Sequence, residues 1–289
     1  MSQHHLVRDL ALEGSDGQYV PLQLPGRRHV KTAEGLVGIM ARERVRVRPG
    51  RHGIINTTKY RDSQPVVIDG ELFGDTADDA WAEYNAVAAA CAAAVDTDRG
   101  LRWTGGQLLG LVEQRSRVVE LSPPIVVAED VIRYRLTIRP ADPRSFAQDI
   151  VIVPGPTVEG ATGGKSYPYT YPRQYALAGS SDALFTVEGT DTTPPVLRVY
   201  GLCSDPRIIL LSTSEEIRIN GTVDADTYLD IDVDAREVRL EDGTVRNDLF
   251  DFELSTWFEL PPGPQTVRLL ASSTDENAHI EARYFPAYA

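Results

Sequence analysis

Ile219-Asn-Gly-Thr-Val223, Tyr228-Leu-Asp-Ile-Asp-Val233 and Trp257-Phe-Glu-Leu-Pro-Pro-Gly263 follow one another near the end of the chain. Short runs with apolar residues at every second position, closed by an apolar-aromatic step and a Pro-Pro-Gly turn, are the pattern of a jelly-roll-like β-sandwich. Further strands are expected on both sides: Leu184-Phe-Thr-Val187, Val196 to Tyr200, Ile208 to Leu211, Glu216 to Ile219, Glu237 to Leu240, Thr256 to Leu260, Thr266 to Leu270 and Ala278 to Tyr284. Pro154 to Ser181 has no periodicity and reads as a long loop or crossing segment, with Tyr167, Tyr169, Tyr171 and Tyr175 as possible packing anchors.

The first half reads as strands and turns around one helix. Strands are expected at Tyr19 to Leu24, Gly35 to Met40, Val45 to Arg48 and Gly53 to Asn56. The helix runs from Thr76 to Val95, with Asp75 or Thr76 as cap and Asp78 and Asp79 in the first turn, where the helix dipole favours anions. Trp81, Tyr84, Ala88, Cys91 and Val95 recur at helical spacing as its packed face, and the alanines from Ala86 to Ala94 allow close approach to a sheet. Gln107 to Val112, Arg117 to Leu121 and Val131 to Arg139 read as three more strands. The last turns Ile132, Tyr134, Leu136 and Ile138 inward and a basic face of Arg133, Arg135 and Arg139 outward. Pro140-Ala-Asp-Pro-Arg-Ser145 ends the pattern, which sets two domains, 1–148 and 149–289.

Charge divides the chain at the same place. The 289 residues carry a net charge of −13; through Gln148 there are 19 Lys+Arg and 19 Asp+Glu, and from Asp149 onward 10 and 23. An acidic second half repels phosphate backbones, so stable nucleic-acid binding is not expected of it. No apolar run reaches the roughly 20 residues of a membrane span, and the N-terminus has no signal-peptide pattern. Cys91 and Cys203, the two cysteines, read as buried free thiols and not as a disulfide or metal pair.

Motifs for chemistry fail on inspection. Asp230, Asp232, Asp234 and Glu241 mimic a calcium-loop spacing, but Ala235 stands where that loop needs glycine, and alternation with Leu229, Ile231 and Val233 gives a strand with an acidic outer face. The three aspartates are therefore expected to tolerate replacement by Asn. Gly163-Gly-Lys-Ser166 lacks the first glycine of a phosphate loop, Glu215 and Glu216 face opposite ways on a strand, and the five histidines are scattered. No catalytic residue, cofactor or metal is expected. Arg42, Arg44, Arg46 and Arg48, joined by Arg51, place their guanidinium groups on one strand face, either a solvated edge or a docking face for an acidic neighbour.

Val199-Tyr-Gly201, Asp205-Pro206, the Leu-Asp-Ile-Asp strand, a hairpin through Gly243, Asp248-Leu-Phe250 and the step into Pro261-Pro-Gly263 occur in an order that resembles the siphophage distal tail proteins, from Thr192-Thr-Pro-Pro-Val196 to Phe285-Pro-Ala-Tyr288. The resemblance implies a mainly β fold: an N-terminal β-rich ring-forming domain with one α-helix, and a C-terminal galectin-like or jelly-roll β-sandwich. It further implies a virion structural protein of the phage tail tip or baseplate, made in the host cytoplasm and without catalysis. Its N-terminal domains would form a homo-hexameric ring joining the tail tube protein to the tail hub protein. The rival expectation is a carbohydrate-binding sandwich, with the tyrosines of 167–175 as its platform.

Overall fold

The structure, a computed structural model, describes residues 7–36, 40–42, 45–47, 54–56, 60–105, 110–155, 180–274 and 277–288. It divides into two compact units, Met1–Gln148 with Tyr288–Ala289, and Asp149–Ala287.

In the first unit the strands are β1 (Val7–Glu13), β2 (Tyr19–Pro21), β3 (Arg28–Glu34), β4 (Met40–Arg42), β5 (Val45–Val47), β6 (Ile54–Asn56), β7 (Tyr60–Asp62) and β8 (Val66–Phe73). After the helix α1 (Ala77–Asp96) come β9 (Arg99–Gly105), β10 (Leu111–Leu121), β11 (Ile125–Ala128), β12 (Val131–Pro140) and β13 (Ser145–Ala147). The main sheet has the order β2-β1-β9-β10-β12-β8-β3, with β11 added to β12 and β13 to β10. α1 begins at the N-cap Thr76, whose side chain accepts from the Asp79 amide at 3.3 Å. Its buried face is Ala80, Val87, Ala90, Cys91 and Ala94, whereas Trp81 and Val95 are exposed. The expected face is thus corrected by rotation: small side chains bring the helix axis close to the sheet, and the bulky ones are left at the flank. Cys91 is buried there, and desolvation pushes its thiol up to about 12.

β12 buries Ile132, Tyr134, Leu136 and Ile138, as alternation requires, and β8 opposite buries Val66, Ile68 and Leu72. Gly70 is paired with Tyr134, and a Cβ there would lie 2.6 Å from the tyrosine ring. The two strands expected at 107–112 and 117–121 are corrected, over the described residues, to the single strand β10. Gln114 and Ser116, polar in sequence, face the interior: the Gln114 amide donates to the Asp142 carbonyl at 3.0 Å, and Ser116 donates to the Gln114 carbonyl at 3.2 Å. Buried polar groups persist when they find such partners. Gly35 and Leu36 lie in a bend, not in the expected strand, and 37–39 fall outside the described residues.

The second unit contains β14 (Val151–Pro154), β15 (Ser180–Val187), β16 (Val196–Tyr200), β17 (Cys203–Ser204), β18 (Arg207–Leu210), β19 (Glu215–Arg218), β20 (Thr222–Val223), β21 (Tyr228–Asp232) and β22 (Glu237–Leu240). These are followed by β23 (Gly263–Leu270), β24 (Ser273–Thr274), β25 (His279–Tyr284) and β26 (Ala287–Tyr288), whose last residue belongs to the first unit. Two sheets, β14-β25-β16-β21-β22 and β15-β23-β18-β19, contribute to one continuous core, with Leu197, Ile231 and Ile280 from the first and Ile208, Ile217 and Val267 from the second. That is a β-sandwich.

Several motif residues acquire physical reasons. Gly201 has φ +77°, and a Cβ on it would meet the Ala278 amide nitrogen at 2.8 Å, so the turn after β16 requires glycine. Asp205 accepts from the Gly221 amide at 3.1 Å, and Thr193 is fully buried with its hydroxyl donating to the Phe285 carbonyl at 2.7 Å. Thr256 to Leu260, expected as a strand, is corrected. It is an extended segment with only an isolated bridge from Leu260 to Thr193, and Phe258 and Leu260 are its core residues. Trp257 is half-buried and stacks on Phe250, ring centroids 4.0 Å apart.

Candidate functional site

Of the five arginines singled out, Arg42 ends β4 and Arg46 is central in β5. Arg44, Arg48 and Arg51 lie outside the described residues. The ladders are nested, 40–42 pairing with 60–62 and, inside them, 45–47 with 54–56. The expected single strand is therefore two short antiparallel segments in the described backbone.

The main sheet's face away from the buried core is a lattice of paired charges. Lys31 and Arg133 both engage Glu71, the second at 2.9 Å; Arg135 holds Asp69 at 2.7 Å; Arg102 and Arg115 lie 3.7 Å from Glu113. The Tyr19 hydroxyl donates to Glu113 at 2.7 Å under the guanidinium of Arg102, and burial raises its pKa. The Arg135 guanidinium holds Asp69 below the usual carboxylate range, and Lys31 does the same for Glu71. The basic outer face expected of β12 is corrected accordingly: β8 supplies the carboxylates opposite Arg133 and Arg135 in register.

β11 is different. Ile125, Val126, Val127 and Ala128 are all exposed, the three large residues at 50–57%, and β11 pairs on one side with β12 while no strand covers its other edge among the described residues. An uncharged apolar edge strand is a template for pairing with another chain, which soluble proteins ordinarily blunt with charge. Ser122-Pro-Pro124 precedes it and a turn at Glu129-Asp130 follows it, and the sequence reading missed it because an isolated four-residue apolar run looks like any core strand.

On the sandwich, the five-stranded sheet's outer face carries Arg198, Tyr200, Tyr228, Asp230 and His279. Arg198 makes two hydrogen bonds to Asp230, at 2.6 and 2.7 Å, and lies 3.7 Å over the Tyr228 ring. Tyr200 stacks on His279 at 4.6 Å and tilts against Tyr228 at 5.7 Å. One face of each of these rings is engaged by a neighbouring ring or by the guanidinium. The tyrosines of 167–175, and Gly163 to Ser166, lie outside the described residues.

The aspartates of the calcium-like spacing separate into three environments. Asp230 is the partner of Arg198, Asp232 caps the hairpin by accepting from the Ala235 amide at 2.9 Å, and Asp234 is exposed in the turn. The expectation that all three tolerate Asn is revised for Asp230. Glu216 is held between Arg207 and Arg218, the former lowering its pKa most, while Glu215 accepts from Thr213 at 2.7 Å. Arg239, Arg246, Arg268 and Arg283 are likewise each held by a carboxylate. With most of its cations so engaged, the second unit presents its surplus acids to solvent. Among the described residues there is no group of three His, Cys, Asp or Glu able to hold a metal ion.

Comparison with known proteins gives these features a setting. Residues 188–288, most of the second unit, match the family model described as siphovirus-type tail component, C-terminal domain. The chain as a whole has the fold of a distal tail protein. It is similar to the Dit protein of phage SPP1, described as a paradigm of the hub adsorption apparatus of phages infecting Gram-positive bacteria, at 14% identity and a TM-score of 0.71, over 98% of this chain and 100% of that one. A chain of the phage p2 baseplate in its calcium-activated conformation is similar at 12% identity and a TM-score of 0.54, over 96% of each. The strontium form of that baseplate gives 12% and 0.54, over 96% of this chain and 98% of that one. No curated protein matches.

Proposed function

We propose that the chain is a structural component of a phage tail tip, a distal tail protein whose N-terminal unit closes into a ring between the tail tube and the tail hub. The observation that carries this reading is the likeness to the SPP1 hub protein over both units in the same order, joined to the independent match of the second unit to the tail-component family. A cyclic assembly consumes exposed edges, and the uncovered apolar β11 suits a unit that is buried against copies of itself. The first half, with 19 residues of each charge, can pack against copies without the repulsion that the acidic half would bring. A hexamer is the expected stoichiometry, and a structural role leaves no need for catalysis or a cofactor.

Light scattering and negative-stain imaging of the purified protein test this. A closed ring, formed alone or on mixing with tube or hub proteins, is expected; a monomer under all these conditions refutes it. The arginine-rich segment from Arg42 to Arg51 is proposed as a contact face toward an acidic neighbour, because guanidinium groups pair bidentately with carboxylates and are weakly hydrated. Replacing Arg44 and Arg46 with Glu is expected to leave the isolated chain folded and to abolish assembly into tails. Assembly at normal yield would remove these residues from the interface.

A further inference from the structure

The second unit carries an apolar projection that the ring does not explain. Phe252 is 67% and Leu254 56% exposed, and the turn presenting them is tightly built. The Asp251 carboxylate accepts from the amides of Glu253 and Leu254 at 3.1 and 3.2 Å, and the Ser255 amide donates to the Asp251 carbonyl at 3.0 Å. Both ends are tied to the edge strand β19: the Asp251 amide donates to the Arg218 carbonyl at 3.0 Å, the Arg218 amide to the Ser255 hydroxyl at 2.8 Å, and the Thr256 amide to the Glu216 carbonyl at 2.8 Å. From below, the Phe252 ring stands edge-on against Phe250, centroids 4.9 Å apart, and Phe250 stacks on Trp257. The turn's backbone is therefore held by these bonds and the Phe252 ring by Phe250, so much of the ordering entropy of the turn is already spent before any partner arrives.

Its surroundings select the partner. From Arg246 to Glu259 there are one basic and four acidic residues, and Arg246 is already engaged by Asp248. The same unit holds the chain's entire charge excess, so the second unit of another copy would bring like charge to this tip. We propose that Phe252 and Leu254 form a docking knob that enters an apolar pocket rimmed by lysine or arginine on a different protein of the assembled tail. An aromatic anchor that fills a desolvated pocket, ringed by contacts that exclude water, can dominate an interface, and complementary charge at the rim steers the encounter and selects the partner. The inference rests on the tail-component reading.

The test places p-benzoylphenylalanine at position 252, in a chain supplied to a phage that lacks its own copy, and irradiates the purified tails. The expected result is an adduct with another tail protein whose cross-linked peptide lies beside lysines or arginines. The paired substitution Phe252→Asp with Leu254→Asp is expected to lower the yield of that partner in tails at least tenfold while the circular dichroism of the isolated chain is unchanged. Tails that contain the chain but show no adduct, or an adduct with a second copy or with residues 156–179 of the same chain, would overturn the knob and leave the tail reading intact. Tails in which the chain never appears would overturn both.

Discussion

Replacing Asp230 with Asn is the sharpest probe of the sandwich, because two ways of regarding that residue differ in magnitude. As one of three exposed carboxylates on a strand it should matter by about half a kcal/mol or less. As the cross-strand partner of Arg198 it should matter several times more. The two hydrogen bonds are 2.6 and 2.7 Å long, and the side chains are only 15% and 21% exposed. Exposed ion pairs contribute about 0.2–1 kcal/mol, and breaking a buried pair costs about 3–5 kcal/mol because a charge is left without compensation. This pair lies between those limits, so Asp230→Asn is expected to cost about 2 kcal/mol. The same change at Asp234, in the exposed turn, should cost less than about 0.5 kcal/mol. Urea unfolding of the full chain, read on the transition of the second unit, measures both. Adding Arg198→Met to Asp230→Asn should recover part of the loss, since it removes the stranded guanidinium, although it also forfeits the Arg198 contact with the Tyr228 ring. Equal, negligible effects at positions 230 and 234 would refute the argument.

Gly201→Ala should destabilise the second unit by about 2 kcal/mol or more, since it adds a Cβ at positive φ against the Ala278 backbone; a melting temperature within a degree of the parent would contradict that. Tyr134→Phe should be neutral or stabilising by about 1 kcal/mol, because the buried Tyr134 hydroxyl has no hydrogen-bond partner among the described residues, and a clear loss of stability would show that the hydroxyl is satisfied in solution. Stability should fall in acid. Asp69, Glu71, Asp182 and Glu216 are held below their ordinary values, 3.8 for Asp and 4.5 for Glu, chiefly by Arg135, Lys31, Arg268 and Arg207 respectively. The unfolded chain therefore binds their protons first, and the stabilisation is complete above about pH 4.5 and lost as pH falls through the depressed folded values. Flat stability from pH 6 to 3 would argue against these pairs.

The residues alone determined a good part of the architecture. Thr76 followed by Asp78 and Asp79 marked the helix start, alternation from Ile132 to Ile138 marked a half-buried strand, and Leu229 and Ile231 set against Asp230 and Asp232 marked the strand that the structure carries into a turn at 233–236. Each is a local signal, a period or a cap read from neighbours a few positions apart. What only the tertiary structure decided depends on residues far apart in sequence. Gln114 could be read as a strand interior only once Asp142 and Arg144 came within reach of its amide. Arg133 and Arg135 ceased to be a basic face only when β8 delivered Glu71 and Asp69 in register, and Asp230 became structural only opposite Arg198. The exposure of β11 and of Phe252 belongs to the same class, because apolar residues look alike in sequence whether a neighbouring strand covers them or not. Periodicity reports which way a side chain points, and only the packing of the other strands decides what, if anything, it meets there.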